Sequence, residues 1–217
     1  MTNSKKTLFG SIAILALCFA LFVGTTFAWF SDSVSSGTNT IIAGNLDVAL
    51  KYSSDYATWN EVEETTNVFA TNVYWQPGYA EVVYLKVTNV GTLDLKYQLS
   101  VKVANETTGT NVNDETFKLS DHIMVGQIDD VTAAYADTAT AIAAVTNATN
   151  LSEFEATTAD TLASGADSYI ALVVYMPTTV GNEANYKTGT TAPQITLGIE
   201  LVATQVENTT AFADIID

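Results

Sequence analysis

Leu93-Asp94-Leu95-Lys96-Tyr97-Gln98-Leu99-Ser100-Val101-Lys102-Val103 sets an apolar side chain at every odd number and a polar one at every even number. A period of two sends successive side chains to opposite faces of an extended chain, so this stretch predicts a long β-strand with one dry and one wet face. Strands of that kind belong to antiparallel sheets, because parallel sheets are covered on both faces and read as unbroken apolar runs. Just before it, Asn89-Val90-Gly91-Thr92 predicts a turn, and residues 79–88 carry Val83, Leu85 and Val87 on one face. The two strands flanking that turn are expected to be neighbours in one sheet.

The same pattern recurs along the chain. Val73-Tyr74-Trp75 leads as a strand into Gln76-Pro77-Gly78, a tight turn in which Pro presets φ and Gly supplies φ > 0. Leu46, Val48, Leu50 and Tyr52 alternate with Asp47, Ala49 and Lys51, and residues 53–67 read as a solvated loop or hairpin. Residues 105–113 read as a loop and residues 117–127 hold a further short strand. Val131, Tyr135, Ile142 and Val145 fall on one face of a surface helix with Asp129 or Asp130 as N-cap, and residues 151–162 connect onward. Two strands close the chain: the apolar run of residues 169–176, stopped by Pro177, and the alternation of Ile195, Leu197, Ile199 and Leu201. Six to nine short strands with turns between them and one or two peripheral helices predict an all-β chain, an antiparallel β-sandwich.

The N-terminus follows a different rule. Lys5-Lys6 precedes an apolar run from Leu8 to Val23, and the small residues Thr26 and Ala28 stand at the −3 and −1 places of a cleavage site. That is the layout of a signal peptide cut after Ala28, leaving Trp29 as the new N-terminus. Counting on through Phe30 brings the run to the ~20 residues of a membrane span, so a retained anchor is the alternative. The expected division is a signal-peptide helix over residues 1–28, an extended N-terminal segment over 29–40, and the sandwich over 41–217.

Composition narrows the function classes. The chain has 217 residues, no Arg, 24 acids and 8 lysines, a formal charge of −16. Lys5 and Lys6 precede Ala28 and no acid does, so the part beyond it carries −18. A polyanion gains no counterion-release term from a phosphate backbone, which excludes nucleic acid as a partner and leaves the membrane to the precursor alone. The single cysteine, Cys18, lies in the leader, so the exported part has no disulfide framework, thiolate metal cluster or cysteine nucleophile.

Five pieces of the chain carry a resemblance. They are Thr26-Phe27-Ala28-Trp29-Phe30-Ser31-Asp32, Ala43-Gly44-Asn45-Leu46-Asp47, Gln76-Pro77-Gly78, Val87-Thr88-Asn89-Val90-Gly91-Thr92-Leu93, and the run from Ile195 to Gln205. In that order and spacing the chain resembles the TasA/camelysin family of exported Gram-positive proteins, while residues 105–166 match none of it. The resemblance implies a jelly-roll domain, processing by a dedicated signal peptidase, secretion to the extracellular matrix or cell surface, and assembly into biofilm-matrix fibres. In such fibres the mature N-terminal segment of one subunit completes the sheet of the next. The chain's partners would then be copies of itself, the peptidase, and other matrix or cell-wall components.

The residues at the processing site agree with that implication. Cleavage leaves two large aromatics, Trp29 and Phe30, on a polar segment whose next apolar residue is Val34. An extended segment adds to an open sheet edge through main-chain hydrogen bonds while its side chains fill pockets, so Trp29, Phe30 and Val34 are the expected donor-strand residues. Burying Trp29 and Phe30 contributes roughly 3–6 kcal/mol per junction before ordering costs.

Camelysin-like proteins are also classed as metallopeptidases. A zinc peptidase needs at least two imidazoles and a carboxylate, and His122 is the one histidine, with no H-E-x-x-H. No Gly-x-Ser-x-Gly elbow is present, and Asp129-Asp130 lacks EF-hand spacing. The expectation is a protein with no catalytic residues, metal or cofactor. The rival non-enzymatic reading is a monomeric adhesin or carbohydrate-binding sandwich using Tyr56, Trp59, Tyr74, Trp75 and Tyr186. Sequons at Asn105, Asn147, Asn150 and Asn208 are expected in loops.

Overall fold

The computed structural model describes residues 31–35, 38–41, 45–154, 160–209 and 211–212. In chain order the strands are β1 (Ser31–Ser35), β2 (Thr38–Ile41), β3 (Val48–Ser53), β4 (Asn60–Glu61), β5 (Ala80–Asn89), β6 (Leu95–Thr107), β7 (Gly109–Thr110), β8 (Thr116–Phe117), β9 (Met124–Ile128), β10 (Ala148–Asn150), β11 (Asp160–Leu162), β12 (Asp167–Tyr175) and β13 (Gln194–Gln205). Among the described residues the one α-helix is α1 (Thr138–Ala144). One sheet has the order β11-β6-β13-β1-β2, the other β10-β9-β12-β5-β3-β4, and β7 and β8 form a small ribbon. All these pairings are antiparallel. Both sheets interleave early and late strands, giving the expected jelly-roll-like antiparallel sandwich with a peripheral helix. The expected signal-peptide helix lies outside the described residues.

The alternating positions make the core. Val48 and Leu50, Val83, Leu85 and Val87, Leu95, Tyr97, Leu99 and Val101, and Ile199 and Leu201 are all buried in one cluster between the sheets. The run in β12 has a different cause: Ile170, Ala171, Leu172, Val173 and Val174 are all fully buried because both faces of this strand are covered. On the outer face Ala171 packs with Tyr84 and Val131. The Tyr135 amide donates to the Tyr84 hydroxyl at 2.7 Å, and the Tyr56 hydroxyl to the Val131 carbonyl at 2.6 Å.

Several sequence expectations are corrected. Strands β5 and β6 are not neighbours: β5 pairs with β3 and β12, β6 with β13 and β11, so the 90–94 segment carries the chain from one sheet to the other. Alternation fixes which face a strand buries but not which strand lies beside it. The corner is held by Asn89, fully buried, whose amide donates to the carbonyls of Leu93 and Leu162 while its Oδ1 accepts from the Gly91 N–H. Leu93 and Val103, the ends of the opening stretch, are 41% and 38% exposed, so the buried alternation runs only from Leu95 to Val101. Strand β6 continues to Thr107 and β10 to Asn150, which puts Asn105 and Asn150 on strands and not in loops. The Asn208 side chain is buried.

Residues 73–75 are not a strand, although the turn after them forms, with Gly78 at φ 88 and the Tyr79 amide donating to the Gln76 carbonyl. The helix is shorter than its periodicity suggests and is capped by Asp137, whose carboxylate accepts from the Thr140 amide, not by Asp129 or Asp130. Residues 131–137 still cover the sheet with Val131 and Tyr135, but as a loop; Asp130 sits at φ 54, outside helical space.

Candidate functional site

Strand β1 lies along one edge of β13 in the same chain. Its register runs from Ser31 opposite Thr204 to Ser35 opposite Glu200, with Val34 opposite Leu201. Strand β2 then pairs back on β1, Ser35 opposite Thr38, and forms the sheet's outer edge. Of the expected donor-strand residues, Val34 therefore stands on a strand that completes a sheet, here that of its own chain. Ala28, Trp29 and Phe30, with the cleavage site, lie outside the described residues.

Strand β13 is the acceptor in this contact and a central element of its sheet. Its other edge pairs with β6 over its whole length, from Gln194 opposite Thr107 to Gln205 opposite Leu95, with a bulge at Thr196/Leu197. Against β1 it is paired only from Glu200 to Thr204. On that side residues 194–198 have no strand partner among the described residues.

A groove of about 920 Å³ opens at these unpaired residues. Phe69, Trp75, Pro193, Ile195, Leu197 and Tyr186 contribute its apolar walls. Residues 67–77, which follow β4 at the edge of the second sheet, form the opposite bank. That bank is fixed in place. The Trp75 ring meets Tyr79 edge-on at 4.9 Å, and Glu81 accepts from the Ala70 amide at 3.0 Å and the Tyr79 hydroxyl at 2.8 Å. Burial, then the Glu81 carboxylate, pushes the Tyr79 hydroxyl up to about 12. Tyr74, at the rim, is 93% exposed.

The five aromatics of the glycan-platform reading divide between two places. Tyr56 and Trp59 sit 5.3 Å apart in an edge-on cluster with Tyr84 and Tyr169 on the outer face of the second sheet, and Tyr74, Trp75 and Tyr186 line the groove. His122 is half-buried with its ring 5.9 Å from that of Phe117. Among the described residues no group of three His, Cys, Asp or Glu side chains is placed to hold a metal ion. The groove is not legible in the sequence: its walls come from segments more than 100 residues apart, and Trp75 and Tyr186 stand out there only as aromatics.

The family model described as camelysin metallo-endopeptidase matches residues 3–175, more than half of the chain. The chain belongs to the camelysin family. This family includes TasA-type proteins, in agreement with the resemblance carried by the processing site and the turn sequences. The camelysin match ends before β13, so the run from Ile195 to Gln205 lies beyond the matched residues. No curated protein and no solved structure matches the chain. The family's description names a metallo-endopeptidase, while the described residues of this chain bring no metal-ligand set together.

Proposed function

We propose that this member of the camelysin family is a structural subunit of an extracellular, biofilm-matrix fibre, exported by its leader, cut after Ala28, and assembled head to tail by donor-strand complementation. The observation that carries the reading is the β1–β13 pairing. The segment next to the expected cleavage site forms strand pairs at a sheet edge, and the same five pairs made between copies link one sandwich to the next. A head-to-tail contact of this kind does not close and so propagates as a filament. Before cleavage the segment is tethered to the membrane by the leader, which makes proteolysis the permissive step. On this reading the chain is not a peptidase. One histidine and no H-E-x-x-H leave it without the two imidazoles that zinc-peptidase chemistry takes.

Electron microscopy of the chain from Trp29 and of the chain from Ser36 tests this. The first is expected to form fibres and the second to remain unassembled; fibres of the same form from both would remove the N-terminal strand from the joint. A monomeric adhesin or carbohydrate-binding module is the second reading, favoured by the meeting of Tyr74, Trp75 and Tyr186 at one groove. It predicts that the chain from Trp29 elutes as a monomer and binds a neutral glycan.

A further inference from the structure

The groove beside residues 194–198 is walled by aromatics and rimmed by amides, and it carries almost no charge. Two of its rings are held in place: Trp75 lies edge-on to Tyr79, and the Tyr186 hydroxyl donates to the Thr190 carbonyl at 2.7 Å. Tyr74 stands bare at the rim. Asn67, Asn72, Gln76, Asn182, Asn185 and Gln194 also line the groove, all exposed, and none uses its side-chain amide in a hydrogen bond among the described residues. We propose that the groove binds an unbranched, neutral oligosaccharide of β-linked pyranoses carrying acetamido groups, of the N-acetylhexosamine class. This rests on the glycan reading of the groove, which it deepens by naming the ligand, and it holds for a monomer and for a fibre subunit alike.

Each part of that ligand answers one feature of the groove. The C–H faces of a pyranose ring are apolar and flat, so they stack on Tyr74, Trp75 and Tyr186. Because two of these rings are already fixed, little ordering cost opposes the contact. A carboxamide both donates and accepts, as a sugar hydroxyl does, so the rim serves hydroxyls in either sense. The acetamido group is a secondary amide, and β13 offers it main-chain partners. Alternate residues between 194 and 198 turn an N–H and a C=O toward the side that no strand covers among the described residues. This edge runs for about 13 Å at the rise of a strand, the length of a short oligosaccharide.

Charge selects against other polysaccharides. The chain carries −16, Glu81 is the single acid among the groove's described lining residues, and it is engaged by the Ala70 amide and the Tyr79 hydroxyl. No described lysine lines the groove, so a uronate or phosphate polymer meets net repulsion with no cation to receive it. A peptide strand fits less well than a sugar chain. The bulge at Thr196/Leu197 breaks the regular spacing of the edge in the middle of its unpaired stretch.

Fluorescence titration of the chain from Trp29 tests the assignment, since Trp75 lies in the groove and Trp59 on the outer face of the second sheet. The probes are N-acetylchitohexaose, cellohexaose, which has the same backbone without acetamido groups, and a galacturonate hexamer. A saturable change in emission is expected with N-acetylchitohexaose, at least tenfold tighter than with cellohexaose and absent with the uronate. Trp59→Phe is expected to keep this response. Tyr74→Ala removes a side chain that is 93% exposed and so leaves the fold intact; it is expected to weaken binding about tenfold.

If cellohexaose binds as tightly as N-acetylchitohexaose, the acetamido assignment fails and the glycan reading stands. If no neutral oligosaccharide binds, both fail, while the fibre reading is untouched. Binding of N-acetylchitohexaose at full strength by Tyr74→Ala would place the sugar elsewhere and overturn the proposal. So would an alternating Val-Thr peptide that changes the Trp75 emission where no sugar does, which would make the groove a strand acceptor.

Discussion

Gly91 and Gly126 show at single residues what holds the two sheets in place. A Cβ on Gly91 would stand 2.5 Å from the Asn45 carbonyl oxygen and 2.9 Å from the Asp47 nitrogen, both backbone atoms. A Cβ on Gly126, in β9, would stand 2.2 Å from Cγ1 of Val145, the residue that ends α1. Alanine at either position is expected to cost about 1–3 kcal/mol in denaturant melts, with Gly91→Ala the worse because backbone yields less than a side chain. Asp55 acts through charge. The Thr58 and Ala57 amides and the Ser53 hydroxyl donate to its carboxylate and lower it to about 2. Since the folded value lies below the ordinary 3.8, the stabilisation is present above pH 4 and is lost as pH falls through about 2. Hydrogen exchange at Ala57 and Thr58 should accelerate in that window, and Asp55→Ala should accelerate it roughly tenfold at neutral pH. Tyr97 has the opposite sign. Burial first, and the nearby Asp160 and Asp129 carboxylates, outweigh the Ser168 hydrogen bond and push its hydroxyl up to about 12. Its contribution is complete below pH 10 and disappears as pH rises through 12, so alkaline unfolding is expected there, with a smaller pH dependence in Tyr97→Phe.

Among the elements, β1 is the one the fibre reading requires to move, and it is expected to leave without opening the core. Removing residues 29–35 exposes the edge of β13 at Glu200–Thr204 but leaves the pairing of β13 with β6 intact. Amide exchange is expected to rise at alternate residues between 200 and 204 while the β5 and β12 amides stay protected; a global loss of protection would make β1 part of the core fold. Strands such as β1 are the ones that sequence periodicity reads poorly. β6 and β13 were legible because one face meets the core and the other meets water, so every second residue reports its side. β12 was legible as a strand from its length and Pro177, but the loop and helix covering its outer face were not, since a continuous run does not say what lies above it. Ser31–Ser35 has one apolar residue in five, and its strand character comes from the β13 edge beside it. The helical period over 131–147 marked residues that do cover the sheet; tertiary packing draws most of them out as loop and leaves seven residues helical.

For the whole molecule the governing quantity is charge. On the fibre reading, copies cut after Ala28 carry −18 each and meet against long-range repulsion, which salt screens over about 10 Å at 0.1 M. Assembly of the chain from Trp29, followed by light scattering, is therefore expected to quicken as ionic strength rises; slowing would indicate a joint made of opposite charges. On the fibre reading the joint is main-chain pairing at the β13 edge, near the groove that opens where the described chain leaves residues 194–198 unpaired. Neither the groove nor its relation to β1 was visible in one dimension, because Phe69, Trp75, Tyr186 and Leu197 meet only once the sandwich has closed. The most direct measurement is negative-stain electron microscopy of two chains side by side, one beginning at Trp29 and one at Ser36, at equal concentration and salt. Long fibres from the first and dispersed particles from the second are the predicted result; fibres of the same width and repeat from both would contradict it.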